Sequence, residues 1–398
     1  MSAPRFGIWI IGARGGVATS TAVGLAALQH DLTGETGLVS ALPCFSHLPL
    51  PNWDEFVVGG HEIRDVTLFD EALRLNRESH VFDAETLIAC QENLNQVESR
   101  IRPGVLWNVG RTIRELAPND ADDRHSPSAA IEQIKADLND FRRQNDLENV
   151  IVVNLASTEA SLEEAAWPDS WAKTQAMVAR DDCPLPASSL YAIAALDLEM
   201  TYINFTPSLG ATPQGIDELS RERGTRHAGR DAKTGETLLK SVLAPMFAER
   251  NLDVLSWVGH NIFGNLDGKV LDDPNNKASK VKSKDHLLEA ILGYAPQTLV
   301  SIEHIESMAD WKTAWDHIHF QGFLNTPMML QFTWQGCDSL LAAPLVLDLV
   351  RFALVAGQRG EIGCMSFLSS FFKSPLGSEN QAFFDQTRLL KAWAEASA

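Results

Sequence analysis

The chain lacks the cysteine spacing that a disulfide framework or a zinc knuckle requires. Cys44, Cys90, Cys183, Cys337 and Cys364 are an odd number, lie far apart and form no C-x-x-C pair, so reduced thiols are expected. A membrane span is missing too: the nearest apolar run, 339–350, is interrupted by Pro344 and Asp348 and falls short of the roughly 18 uncharged residues needed. No signal-peptide layout precedes the first apolar strand, and a cytoplasmic protein is the expectation. Positive charge is scarce, with 33 Lys and Arg against 52 Asp and Glu and a net charge of −19, which argues against nucleic acid as a partner. There is no repeat, no low-complexity tract and no linker rich in Pro, Gly or Ser. G-x-S-x-G and H-E-x-x-H are absent, and Gly264–Lys269 is one residue too short for a Walker A loop.

At 398 residues the chain exceeds one ordinary core, and two domains are expected. Phe6–Ile11 reads as a strand, followed by Gly12-Ala-Arg-Gly15-Gly16 and a helical apolar run, the context of a dinucleotide fingerprint. Such a turn offers free backbone N–H groups and a helix dipole to a pyrophosphate, though a tight βα turn without ligand has the same pattern. The spacing is G-x-x-G-G, and the acid expected about 20 residues on is missing, because Asp31 precedes the next apolar run, Gly37–Leu42. A helical period from Ser128 leads into a strand over Glu148–Leu155 ending in Asn154-Leu-Ala-Ser-Thr-Glu159. The unit repeats as helix Ser188–Leu198 and strand Thr201–Thr206. Polar residues after successive strands point to a site at the carboxyl edge of an α/β sheet. Further strands are expected at Asp253–Gly259, Thr298–Ile302 and within Ile318–Trp334, and helices at Leu340–Ala356 and Met365–Phe372.

Cationic side chains gather where overall composition predicts the reverse. Residues 268–284 hold five lysines against two aspartates, and Lys277, Lys280 and Lys284 share one face if that stretch is helical. Either an anion compensates them or they form a solvated face. Gly229–Thr237 is a second glycine turn before a helix, readable as a phosphate cradle or as an N-cap by Thr234 or Thr237. Lys312 and Lys373 stand among aromatics, where a lysine either works as acid or base or merely snorkels. His317 and His319 would share one face of a strand beside bulky neighbours, and no metal site is expected from them, His304 and Asp316.

Taken in order, these segments resemble the inositol-3-phosphate synthase family, also called myo-inositol-1-phosphate synthase. Gly12–Thr19 is similar to its glycine loop, Phe56–Ile63 to V-x-G-G-W-D-I, and Ala156–Glu159 to A-N-T-E. Gly229–Lys240 resembles G-x-D-F-K-S-G-Q-T-K-x-K, and Asn261–Leu271 resembles N-H-L-G-N-N-D-G-x-N-L. Asp310–Asp316, Cys337–Leu345 and Leu368–Leu376 match three later segments. The resemblance implies an α/β fold: a Rossmann-like NAD-binding domain, residues 1–237 and 338–398, with an inserted α+β catalytic and tetramerisation domain, 238–337. It implies cyclisation of glucose 6-phosphate through oxidation at C5, enolisation, aldol closure of C6 onto C1 and return of the hydride, with NAD recycled and a homotetramer expected. By the same resemblance, Lys280, Lys312 and Lys373 act in catalysis with Lys284, and Lys277 replaces a lysine displaced by an insertion after Pro274. Asp231, Thr234, Gly235 and Thr237 hold the phosphate; Asn261, Asn265 and Asp267 the sugar; Gly12, Gly15, Gly16, Val17, Ala18, Glu62, Ser157, Thr158 and Asp338 the cofactor. Glu236 replaces the family's Gln, Leu238 its Lys, His61 its Trp and Glu62 its Asp. An NAD-dependent sugar-phosphate or cyclitol dehydrogenase, and a non-catalytic nucleotide-binding regulator, are the alternatives.

Overall fold

The computed structural model describes residues 4–119, 126–265, 268 and 287–396. Strand β1, Phe6–Ile11, is buried along its whole length, as expected of a parallel strand covered on both faces. It lies between β2, Phe56–Glu62, and β4, Asn149–Asn154, both parallel to it. Adding β3 (Ile101–Pro103), β5 (Thr201–Asn204), β6 (Arg226–Gly229) and β11 (Gly363–Cys364) gives a parallel sheet of order β11-β6-β5-β4-β1-β2-β3. The chain moves outward in opposite directions from β1 and β4, so their carboxyl ends flank the crevice where such sheets bind ligands.

The first helix, Gly16–Gln29, and the long helix Asp338–Gln358 share one core against this sheet. The long helix is long and apolar enough to cross a membrane, but most of it is buried against its neighbours. The apolar run at 37–42 forms no strand but holds a short 3-10 turn, Val39–Ala41. Its amides are claimed by the Asp348 carboxylate of the long helix, which accepts from Val39 N at 2.7 Å and Ser40 N at 2.8 Å.

A second sheet, of order β10-β9-β7-β8, holds β7 (Asp253–Phe263), β8 (Gln297–His304), β9 (Trp311–Gln321) and β10 (Pro327–Cys337). Helix Gly235–Glu249 covers one face, packing Ala244 and Phe247 on Trp257 and Ile318. The domain boundary expected at 237/238 therefore falls inside a helix that belongs with this sheet. The expected strand material over 318–334 is parts of β9 and β10, which form an antiparallel hairpin.

Candidate active site

One cleft runs along the carboxyl ends of β1, β2, β4 and β5 to the start of β9. At its floor, Gly12 takes φ +80, and its N–H donates to His61 O at 2.9 Å. A Cβ there would lie 2.9 Å from Ala156 Cα, so only glycine brings the two turns together. Gly15 is the N-cap of the first helix and supplies no side chain, which leaves the first-turn amides facing a cleft lined by Gly12, Gly15, Gly16 and Val17. A helix N-terminus open to a glycine-floored cleft fits a dinucleotide pyrophosphate.

The acid missing from its usual spacing is found at the end of β2. Glu62 is buried and accepts from Arg14 N at 2.8 Å, Ile63 N at 2.8 Å and Arg64 N at 3.0 Å, with the Arg64 guanidinium 3.6 Å away. The distance in sequence grew because three 3-10 turns lie between the first helix and β2. His61 lines the cleft beside Glu62, with both ring nitrogens engaged by protein groups. Buried between Trp9 and Asp137, it accepts from Trp9 Nε1 through Nδ1 at 3.1 Å and meets Asp137 through Nε2 at 3.1 Å, and burial holds its pKa low.

Beyond β4, Ser157 and Thr158 line the cleft. Glu159 beside them was not singled out by the sequence. Its carboxylate accepts from Ser188 N at 2.9 Å and Ser188 Oγ at 2.5 Å, at the start of helix Ala187–Asp197, and burial raises its pKa to about 7.

The far end of the cleft is sewn together from two distant segments. Ala232 bridges Phe372, Lys233 N donates to Phe371 O at 2.8 Å, and Lys373 N donates to Asp231 O. That seam sets Lys373 Nζ 3.0 Å from Asp231 Oδ1, with both side chains mostly buried and both lining the cleft. Lys233 points away, bonded to Gln386 Oε1 at 2.5 Å; burial, and then the charge of Lys373, lower its pKa to about 7. Thr234, the N-cap of helix Gly235–Glu249, also lines the cleft, and Gly235 follows it with φ +54.

Lys312, on β9, closes the cleft from the second sheet. Its Nζ lies 3.6 Å from Asp338 Oδ1 and 4.9 Å above the Phe263 ring. Two residues before Lys312 stands Asp310, buried, whose carboxylate accepts from Asn265 Nδ2, Cys337 Sγ, Ser339 N and Ser339 Oγ at 2.8–3.0 Å. Burial raises the Asp310 pKa; the residue opens the matched segment 310–316, but its partners in this junction come from other segments.

Three expected contacts lie behind the wall of the cleft. Ala18 is fully buried in the core of the first sheet, and Thr237 is buried in the helix that follows Thr234. Asn261 is buried too and donates to Glu236 Oε2 at 2.8 Å. Glu236 turns away from the cleft, 2.7 Å from Lys240 Nζ, which in turn lies 3.9 Å from Asp316. Asp267, Lys277, Lys280 and Lys284 fall outside the described residues.

Residues 6–395 match the NAD-binding family model described as myo-inositol-1-phosphate synthase. An inositol-3-phosphate synthase of Bacteroides thetaiotaomicron is 30% identical over 418 aligned positions, covering 97% of this chain and 94% of its own. One from Dictyostelium discoideum is 27% identical over 397 positions, covering 89% and 75%. Among solved structures, the inositol-3-phosphate synthase of Caenorhabditis elegans superposes with a TM-score of 0.86 at 22% identity, over 99% of this chain and 86% of that one, and so shares its fold.

Proposed function

Since the chain belongs to the myo-inositol-1-phosphate synthase family, we propose that its cleft cyclises glucose 6-phosphate to an inositol monophosphate with no net redox change. The observation that carries this reading is the convergence of Lys312, on β9 of the second sheet, and Lys373, at the seam with 231–233, on one cleft floored by the glycine turn. NAD, when bound, supplies hydride acceptance and return. Gly12, Gly15, Gly16 and Val17 would hold its pyrophosphate, Glu62 its adenosine ribose, and Ser157, Thr158 and Asp338 its remaining length.

The chain's own residues handle charge and protons. Oxidation at C5, enolisation and ring closure each put negative charge on a sugar oxygen, and fixed ammonium groups in a poorly hydrated cleft stabilise it. Lys373 Nζ, 3.0 Å from Asp231, and Lys312 Nζ, 3.6 Å from Asp338, are each oriented by a carboxylate that also offers a place for a proton. Thr234 and Gly235, at a helix N-terminus, are suited to the substrate phosphate. Lys277, Lys280, Lys284 and Asp267 belong to the same reading by resemblance.

A homotetramer in the cytoplasm completes the reading. Its support is the uncovered face of the second sheet, where Leu299, Trp315 and Met329 are 55%, 44% and 61% exposed. The activity is tested by incubating the protein with NAD and glucose 6-phosphate deuterated at C5. Inositol monophosphate that retains the deuterium, without accumulation of NADH, is the expected result; steady NADH release with a ketone product would establish a simple dehydrogenase instead.

A further inference from the structure

Lys312 sits at a weakly held corner. It pairs with Gly336 of β10, but the ladder between β9 and β7 begins only at Thr313, so Trp311 and Lys312 are laddered on one side alone. A side chain that must meet a reacting sugar atom needs a second restraint, because small displacements cost large factors in rate.

That restraint comes from the other sheet. Helix Leu68–Ser79 ends against the start of β9, and its last residue, Ser79, is fully buried. The Ser79 carbonyl, which the helix end leaves without an intrahelical donor, accepts from Trp311 Nε1 at 2.7 Å. The Ser79 hydroxyl oxygen accepts from Asp310 N at 3.1 Å. One residue thus grips the two positions immediately before Lys312, while Asp310 O accepts from Asp338 N at 2.9 Å, next to the carboxylate that orients the lysine. Leu75 and Val81, flanking Ser79, pack on Cys337 at the end of β10. Earlier turns of the same helix place Glu71 and Arg74 in the cofactor end of the cleft.

We propose that Ser79 is a positioning residue for Lys312, fixing the start of β9 against a helix of the cofactor-binding domain; the proposal rests on the reading of Lys312 as catalytic. Ser79 touches neither substrate nor cofactor in this role. It sets where the ammonium group stands.

The test is a double-mutant cycle on the full chain, with NAD and glucose 6-phosphate as probes. Ser79→Ala lowers kcat on the order of 10–100-fold, while KM and NAD affinity stay within about two-fold, and Ser79→Thr, which keeps the hydroxyl, restores most of the loss. In a Lys312→Ala background, Ser79→Ala produces no further loss, because the group it positions is gone. Should Ser79→Ala fail to fold, Trp311→Phe, which removes the donor to the Ser79 carbonyl and keeps an aromatic ring at that position, enters the same cycle with the same expectation. Equal losses with and without Lys312, or an unchanged kcat in Ser79→Ala, overturn the proposal and leave the function standing. An unchanged kcat in Lys312→Ala overturns the reading of Lys312 as catalytic and this proposal with it, while the cyclisation itself stands.

Discussion

Two charged side chains separated by a few residues, Lys233 and Glu236, show how little a residue's type says about where it works. Glu236 follows the cradle residues Thr234 and Gly235, yet its carboxylate lies behind the cleft against Lys240 and Asn261. Glu236→Gln should therefore leave the KM for glucose 6-phosphate unchanged and lower unfolding stability by roughly 1–3 kcal/mol, since a buried lysine loses its nearest anion. Lys373→Ala should do the opposite, lowering kcat on the order of 10²–10³-fold with NAD binding preserved. Urea denaturation and steady-state kinetics on the two variants check both expectations, and a raised KM in Glu236→Gln would return that carboxylate to the cleft. Lys312, Lys373 and Asp231 were legible because their short motifs persist in order along the chain. Asp310 was not, because its meaning depends on Ser79, Asn265 and Ser339, which only the fold brings to it.

Elements were legible in proportion to their burial. β1 and β4 announce themselves as nearly unbroken apolar runs because helices cover both faces of the first sheet. The turn at 39–41 has the same composition, but its backbone partner is a carboxylate some 309 residues away, which no local pattern reveals. The hairpin of β9 and β10 alternates continuously, so its boundaries were blurred. At the end of β4, Glu159 ties the strand to the start of helix Ala187–Asp197, and this junction is pH-dependent. Its folded pKa, about 7, is raised above the ordinary value of 4.5, so the folded state holds the proton more tightly. The resulting stabilisation is complete below pH 4.5 and is lost as pH rises through about 7, up to roughly 3 kcal/mol. Glu159→Gln should flatten that part of the stability profile; urea midpoints measured from pH 5 to 8 that fall in parallel for both proteins would refute it.

At the scale of the whole molecule, the second sheet presents helix Gly235–Glu249 on one face and Leu299, Trp315 and Met329 on the other. A face that exposes several large apolar side chains is suited to a second copy of the chain, and Trp315→Arg should shift the protein to smaller species in sedimentation velocity. An unchanged sedimentation coefficient would move the interface elsewhere. The seam joining 231–233 to 371–373 has a different kind of consequence. A ribosome delivers the glycine turn, Glu62 and the whole second sheet long before Lys373 emerges, and β11, which pairs with β6, arrives only shortly before it. Lys373 therefore reaches the cleft only after every other described residue lining it has been made. The same late segment brings Met365, Leu368 and Phe371 into the core of the first sheet, so the step that delivers Lys373 to the cleft is also the step that closes the core beneath it.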